Sequence, residues 1–166
     1  MKKYNTRKLA IAGILIALGV VFSTFSFPVG ASKCAPVQHF INVIAAVFLG
    51  PYYGVCMALI TSVLRVITGL GSLLAFPGSM CGALISGILY KKTKKLPFAL
   101  IGELVGTGIL GGILAYPVAV GLMGKEAAMF TYVIPFLVSS LGGTILAAVL
   151  TNILKRTHAL DKFLGE

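Results

Sequence analysis

Charged residues are scarce in this chain of 166 residues, and acidic residues are the scarcest of all. Only 11% of the residues are charged, with four Asp or Glu against 14 Lys or Arg, and 58% are apolar. This composition excludes an ordinary soluble domain and is typical of an integral membrane protein. The net charge of +10 does not indicate nucleic-acid binding, because most basic residues flank apolar runs, as the positive-inside rule predicts.

Motifs for catalysis and for metal binding are also missing. The sequence has no Gly-x-x-x-x-Gly-Lys-Ser/Thr phosphate loop, no His-Glu-x-x-His and no Gly-x-Ser-x-Gly, so we expect no ATP hydrolysis and no hydrolase of these classes. The three cysteines lack the spacing of metal ligands. We therefore predict a protein that is not an enzyme and that needs no cofactor or metal.

The apolar sequence divides into six segments if Gly50-Pro51 is a turn rather than the middle of one long helix. With that turn, four segments precede the lysine cluster at 91–95, and all three basic clusters lie on one side of the membrane. The sequence therefore predicts one all-α membrane domain over 1–166, with six transmembrane helices and both termini in the cytoplasm. The predicted helices are 9–27, 37–49, 52–67, 79–90, 97–120 and 128–154.

Two of the predicted helices are too short to cross a bilayer. Segments 37–49 and 79–90 have about 12–13 residues, or about 18–20 Å, against a hydrocarbon core of about 30 Å. Their inner ends are set by Gly50-Pro51 and by the lysines, so the missing length lies on the outer side. We expect loops 28–36 and 68–78 to dip inward and to line a ligand pocket open to the outer face.

Polar side chains gather near the predicted outer ends of the helices, where an unpaired polar group costs about 2–7 kcal/mol in hydrocarbon. Gln38, His39 and Asn42 share one face at the start of the second helix, where they would bind a ligand or satisfy loop backbone groups. Ser79 is predicted to cap the fourth helix or to contact a ligand. Ser139 joins them only if the register of the sixth helix turns it inward. The candidate substrate-binding set is Gln38, His39, Asn42, Arg65, Phe76, Ser79, Glu103, Tyr116 and Ser139.

Arg65 and Glu103 are ionisable residues within predicted spans, where such residues are usually functional. Glu103 fits a buried pair with Arg65, a hydrogen-bonded strut between helices, or the proton site of a self-sufficient secondary transporter. Arg65 fits the pocket or snorkelling toward the outer surface. The two halves show no clear repeat, which argues against a carrier built from repeats. An intramembrane enzyme is a further alternative, although no second intramembrane carboxylate accompanies Glu103.

The first helix carries a stripe of small residues near the cytoplasmic side. Ala10, Gly13 and Ala17 lie three and four residues apart, a spacing that lets another helix approach closely. We predict that this stripe, called the α1 stripe below, is a docking surface for another membrane subunit.

Several segments resemble one known family over nearly the whole chain. They are 36–44, 49–54, 72–80 and 102–108, together with Arg65, and the stretch Ala-Phe-Pro-Gly-Ser-Met at 75–80 is the most specific. With them the chain resembles the substrate-binding S components of energy-coupling-factor (ECF) transporters, and in particular the ThiW family. In that family the first helix typically carries two alanines four apart, where this chain has Gly13 and Ala17.

The resemblance implies a subunit of a vitamin importer that takes up hydroxyethylthiazole, a thiamin precursor, with thiamin or hydroxymethylpyrimidine as alternatives. It also implies partners, namely a transmembrane coupling subunit and two cytoplasmic ATPase subunits. The chain would topple in the membrane to carry its ligand inward. Phe76 or Tyr116 would stack on the ring, while Gln38, His39, Asn42 or Arg65 would bond the hydroxyl and the ring nitrogen.

Overall fold

A computed structural model describes residues 6–156, and of residues 155 and 156 the backbone only. The basic residues Lys2, Lys3 and Lys162, which support the predicted topology, lie outside this range. The described residues form six helices and one antiparallel β-hairpin. These elements are α1 (Thr6–Val21, followed by a 3₁₀ turn at Phe22–Thr24), β1 (Phe27–Val29), β2 (Ser32–Cys34), α2 (Pro36–Phe48), α3 (Pro51–Ile67), α4 (Ala75–Thr93), α5 (Leu96–Leu122) and α6 (Val133–Arg156).

Glycine and proline separate the helices where the sequence predicts. Gly50 adopts a φ of 84°, which only glycine reaches without strain, and Pro51 opens α3. Proline also stands in the first turn of α2 and of α5, where its missing N–H costs no helical hydrogen bond. The Gly50-Pro51 turn therefore separates α2 from α3, as predicted.

Three helices are long and apolar enough to cross a membrane, namely Thr6–Thr24, Leu96–Leu122 and Val133–Leu154. Pro36–Phe48 and Pro51–Ile67 are shorter apolar helices. Many large apolar side chains on these helices point outward, among them Ile14, Ile109 and Ile145. Such an exterior suits lipid rather than water, so the chain is a multi-pass membrane protein.

The predicted first helix, 9–27, is wrong in its C-terminal part. The helix ends at Val21, and Phe27 belongs to a strand that pairs with Cys34, with Gly30 at the turn in a φ of 55°. The predicted loop 28–36 is therefore mostly a hairpin. Because hairpin strands satisfy each other's backbone groups, this segment needs fewer outside partners than an irregular loop.

The fourth predicted segment, 79–90, is also wrong at its start. α4 begins at Ala75 and has 19 residues, about 28 Å at 1.5 Å per residue, so it is not short. The predicted loop 68–78 therefore ends at Leu74. Pro77 is the third residue of α4, where the helix needs no N–H from it. Ser79 consequently lies in the second turn and does not cap the helix.

α4 lies at the centre of the bundle and packs against α2, α3 and α5, while α2 packs against α6. Small residues make these contacts close: Gly102 of α5 lies against the backbone of Ser86, and Gly106 lies against Cys81. α5 contains wide π-helical turns at Leu104–Gly111 and Val118–Leu122. α6 begins at Val133, five residues later than predicted, because 123–132 forms the connection from α5.

Candidate functional site

A cavity of about 380 Å³ lies at the end of the bundle opposite the 91–95 lysines. Its walls are the hairpin, the loop between α3 and α4, and the nearby ends of α2, α4 and α6. This size falls within the range of small-molecule sites, about 300–1,000 Å³. The lining residues are Pro28, Gly30, Ala31, Ser32, Lys33, Ala35, Gln38, His39, Arg65, Leu70, Gly71, Ser72, Leu74, Ala75, Gly78, Ser79, Lys125, Phe136 and Ser139.

A cluster of polar side chains centred on Glu103 lies beneath this cavity. Glu103 is fully buried, and its Oε1 accepts hydrogen bonds from His39 Nδ1 at 2.9 Å, Asn42 Nδ2 at 3.0 Å and Thr107 Oγ1 at 2.9 Å. Asn42 Nδ2 also donates to the carbonyl of Ser79, at 3.2 Å. We call these four side chains the Glu103 cluster. It joins α2, α4 and α5, and it holds His39 with its Nδ1 toward Glu103.

The geometry of the Glu103 cluster leaves one nitrogen of His39 for the cavity. The His39 ring lines the cavity, and its Nε2 makes no hydrogen bond within residues 6–156. Because Nδ1 donates to the carboxylate, Glu103 fixes the orientation of the ring. His39 thus presents an oriented polar side chain to the cavity.

A second polar series runs from the cavity wall into α4. Gln38 Nε2 donates to Ser62 Oγ at 3.3 Å, Ser62 Oγ lies 3.0 Å from Ser79 Oγ, and Ser79 Oγ donates to the carbonyl of Ala75 at 2.8 Å. Because Ser79 gives its single hydrogen to Ala75, Ser62 must donate to Ser79. The hydrogen bonds of this series therefore all run from Gln38 toward Ala75. The second N–H and the oxygen of the Gln38 amide remain available to the cavity.

Arg65 lies in the cavity wall at the last turn of α3 and is 4% exposed. Its Nε is buried and has no hydrogen-bond partner, and no ion pair to its guanidinium occurs in the described part of the chain. The predicted pair between Arg65 and Glu103 is therefore wrong. Glu103 pairs instead with His39, because the polar face of α2 that carries His39 and Asn42 meets α5.

The structure brings five of the predicted residues to the cavity and leaves four out of its lining. Asn42 and Glu103 lie beneath it in the Glu103 cluster, whereas Phe76 and Tyr116 are half-buried elsewhere. Phe76 faces away because Ala75, Gly78 and Ser79 present the cavity side of α4. The five residues that line the cavity are Gln38, His39, Arg65, Ser79 and Ser139.

The aromatic residue that lines the cavity is Phe136, which the sequence prediction missed. Its ring centroid lies 6.4 Å from that of Tyr132, and its edge fits against Gly78, where a Cβ would come within 2.8 Å of Phe136 Cε2. The predicted start of the last helix at 128 put Phe136 two turns deep. The observed start at Val133 puts it in the first turn, at the cavity. The sequence prediction also missed Lys33 and Lys125, which line the cavity. It missed Ser62 and Thr107 too, which form hydrogen bonds with Gln38 and Glu103.

The hairpin is attached to α6 beside the cavity. Ala35 N donates to Ser139 Oγ at 2.8 Å, and Cys34 Sγ donates to the carbonyl of Pro135 at 3.1 Å. Burial raises the pKa of the Cys34 thiol, which keeps it protonated as a donor. Ser139 therefore supports the hairpin that walls the cavity, in addition to lining it.

The α1 stripe is exposed. Ala10, Gly13 and Ala17 all face outward, and a Cβ built on Gly13 would meet no atom within 4 Å. Only 17% of the apolar stretch of α1 is buried, whereas 50% of the apolar stretch of α5 is buried. None of the described residues therefore covers the α1 stripe.

Comparison with known proteins agrees with this fold. A solved structure of the S component of a bacterial ECF transporter matches with a TM-score of 0.76 and 22% sequence identity, covering 92% of this chain and 97% of that chain. No curated protein matches the sequence significantly. The family model for the thiamine-precursor transporter protein (ThiW) matches residues 9–157. Because this match spans most of the chain and confirms the resemblance read from the sequence, the protein belongs to the ThiW family.

Proposed function

We propose that the protein is the membrane-embedded substrate-binding subunit of an ECF-type importer and that it binds a thiamin precursor, with hydroxyethylthiazole as the first candidate. The family match and the S-component fold support the class. The observation that carries the proposal is the cavity itself, which combines one aromatic wall with several oriented polar groups at its base. Such a site recognises a small heteroaromatic molecule by stacking and by hydrogen bonds.

Each part of hydroxyethylthiazole has a partner in the cavity. Phe136 offers a face for the ring, and the free part of the Gln38 amide is available to the hydroxyl. His39 Nε2, which accepts while Nδ1 carries the hydrogen, is also available to the hydroxyl, whereas the N–H of Gln38 that Ser62 leaves free can donate to the ring nitrogen. The volume of about 380 Å³ is near the lower limit for ligand sites, which favours a single ring over thiamin with its two rings. Hydroxymethylpyrimidine remains the alternative with one ring.

The proposed topology follows the charge distribution. Six membrane-crossing helices with both termini in the cytoplasm put the 91–95 lysines inside and the cavity at the outer face. The partners we propose are a transmembrane coupling subunit, which docks on the α1 stripe, and two cytoplasmic ATPase subunits. The sequence itself has no nucleotide-binding loop, so energy from ATP would have to come from such partners.

Calorimetry on the detergent-purified chain tests the ligand. We expect hydroxyethylthiazole to bind one-to-one and more tightly than thiamin or hydroxymethylpyrimidine. Gln38→Ala should weaken it about tenfold, because a lost hydrogen bond in a buried site costs about 0.5–1.5 kcal/mol and unpaired groups remain. Tyr116→Phe, remote from the cavity, is the control and should bind normally. Preference for another precursor would change the ligand, and failure of all three to bind would refute the proposal.

A proton-coupled secondary transporter that uses Glu103 is the second candidate. It has one observation in its favour, since Glu103 Oε2 is buried without a hydrogen-bond partner in the described part of the chain. The three donors on Oε1 fit a structural strut better. Uptake into vesicles by the purified chain without ATPases, abolished by Glu103→Gln, would establish this candidate in place of the first.

A further inference from the structure

The cavity contains a buried cation that hydroxyethylthiazole, a neutral molecule, does not explain. Arg65 is 4% exposed, its Nε is enclosed, and no described residue supplies a hydrogen bond or an ion pair to its guanidinium. A buried charge without a partner is strongly unfavourable, and proteins normally pair or hydrogen-bond it. This arrangement becomes favourable when a ligand brings the missing acceptor.

Among the described residues, no acidic side chain is available to neutralise Arg65. Within residues 6–156 the acids are Glu103 and Glu126, and neither lines the cavity. Glu103 is occupied by His39, Asn42 and Thr107, and Glu126 is exposed. Two further cations, Lys33 of the hairpin and Lys125 after α5, do line the cavity. The charged groups in the wall are therefore all basic.

A purely structural role for Arg65 explains less of what is seen. Its place in the last turn of α3 suits the helix dipole, but its side chain bonds none of the free carbonyls there. Instead, the loop closes over it: Gly71 N donates to the Arg65 carbonyl at 2.8 Å, and a Cβ on Gly71 would lie 3.0 Å from Arg65 Cβ. The loop thus closes over the backbone and Cβ of Arg65, and no residue within 6–156 pairs its guanidinium.

We propose that Arg65, assisted by Lys33 and Lys125 at the mouth, binds an oxyanion on the ligand, either a phosphate monoester or a carboxylate. This inference rests on the proposed function and deepens it: the form of the precursor that binds best is an anion. The planar guanidinium holds such groups through two parallel hydrogen bonds. The two lysines would attract the anion into the cavity, while Phe136 and His39 contact the ring.

Calorimetry with three thiazoles separates this inference from the proposed function. The ligands are hydroxyethylthiazole, its phosphate ester and the matching thiazole carboxylate, with inorganic phosphate as competitor. We expect at least one anion to bind ten times more tightly than the alcohol, and its affinity to fall as salt rises. Equal or tighter binding of the alcohol would overturn the inference and leave the proposed function intact. Failure of all three thiazoles would overturn the inference and, with it, the thiazole as the ligand of the proposed function.

Two variants locate the anion site. Arg65→Gln should remove the preference, so that the affinities of the anion and of the alcohol agree within about threefold, and Lys125→Gln should reduce the preference partly. Lys94→Gln, which removes one lysine from the opposite end of the chain, is the control and should change nothing. Equal weakening of anion and alcohol by Arg65→Gln would show a structural role and overturn the inference. If that variant does not fold, the salt dependence and phosphate competition of the unmodified chain still decide the question.

Discussion

Glycines at the α4–α5 interface and the glycine of the α1 stripe have opposite surroundings. A Cβ on Gly82 would come within 2.7 Å of both carboxylate oxygens of Glu103, and one on Gly106 within 2.7 Å of the Cys81 carbonyl oxygen. A Cβ on Gly13 would meet nothing within 4 Å. The first two let helices inside the bundle approach each other. The third leaves a smooth surface facing outward.

This difference divides the molecule into a close-packed part and a part with an open face. α4 and α5, with α2, form the close-packed body that holds the Glu103 cluster under the cavity. α1 packs mainly on α3 and α2 and keeps most of its apolar window exposed. Binding and docking should therefore respond to different substitutions, and each of the following experiments tests that separation.

The largest effect on the folded protein is expected for Gly82→Ala. The new methyl group overlaps Thr107 Oγ1 and the Glu103 carboxylate, so α4 and α5 must separate, at a cost of about 1–3 kcal/mol in the free energy of unfolding. Thermal melting of the purified chain should show a lower Tm, and thiazole affinity should fall with it. Gly13→Ala is the matched control, expected to leave Tm unchanged or slightly raised because Ala favours helix. Equal Tm values for both variants would contradict the comparison.

A smaller effect is expected for Glu103→Gln, which keeps the shape of the side chain but removes its charge. His39, Asn42 and Thr107 would then donate to a neutral amide oxygen, and charge-assisted hydrogen bonds are stronger than neutral ones by about 1 kcal/mol. We expect ligand affinity to fall about tenfold in calorimetry, since His39 is less firmly oriented. Glu126→Gln removes an exposed acid and serves as the control. Unchanged affinity in Glu103→Gln would mean that the cluster does not position His39.

The smallest effect on the folded protein is expected for Gly13→Leu. The side chain enters open space, so stability and ligand affinity should stay within about 0.5 kcal/mol of the original values. Uptake in cells that also contain the coupling module should nevertheless be lost, because the added bulk blocks close approach of a partner helix. Leu18→Ala, on another face of α1, should leave uptake unaffected. Normal uptake by Gly13→Leu would exclude the α1 stripe as the docking surface.

Local sequence signals predicted much of the architecture. Gly50 and Pro51 mark a turn because glycine accepts a positive φ and proline starts helices, and neither property depends on distant residues. Gln38, His39 and Asn42 share a face of α2 because helical spacing requires it. In both places the prediction agrees with the structure. The start of α4 was missed because Pro77-Gly78 was read as a loop signal, whereas proline is tolerated in a first turn.

The partners of individual side chains were not predictable in the same way. Glu103 bonds His39 rather than Arg65, Phe136 rather than Phe76 lines the cavity, and residues 27–34 form a hairpin. Each outcome depends on how α2, α4, α5 and α6 rotate and slide against one another. A shift of one residue turns a helical side chain by about 100°, so small errors in helix boundaries exchange one lining residue for another.

Composition, the position of basic clusters and the Gly and Pro signals were sufficient to predict a multi-pass helical membrane protein, because these features act through solvent and local backbone geometry. The cavity, the Glu103 cluster and the burial of Arg65 arise only when residues far apart in the chain meet. Three donors converge on Glu103 Oε1 from α2 and α5, and none of these bonds except that from Thr107 lies within one helix. Their geometry depends on close packing at glycines such as Gly82, which composition alone does not place.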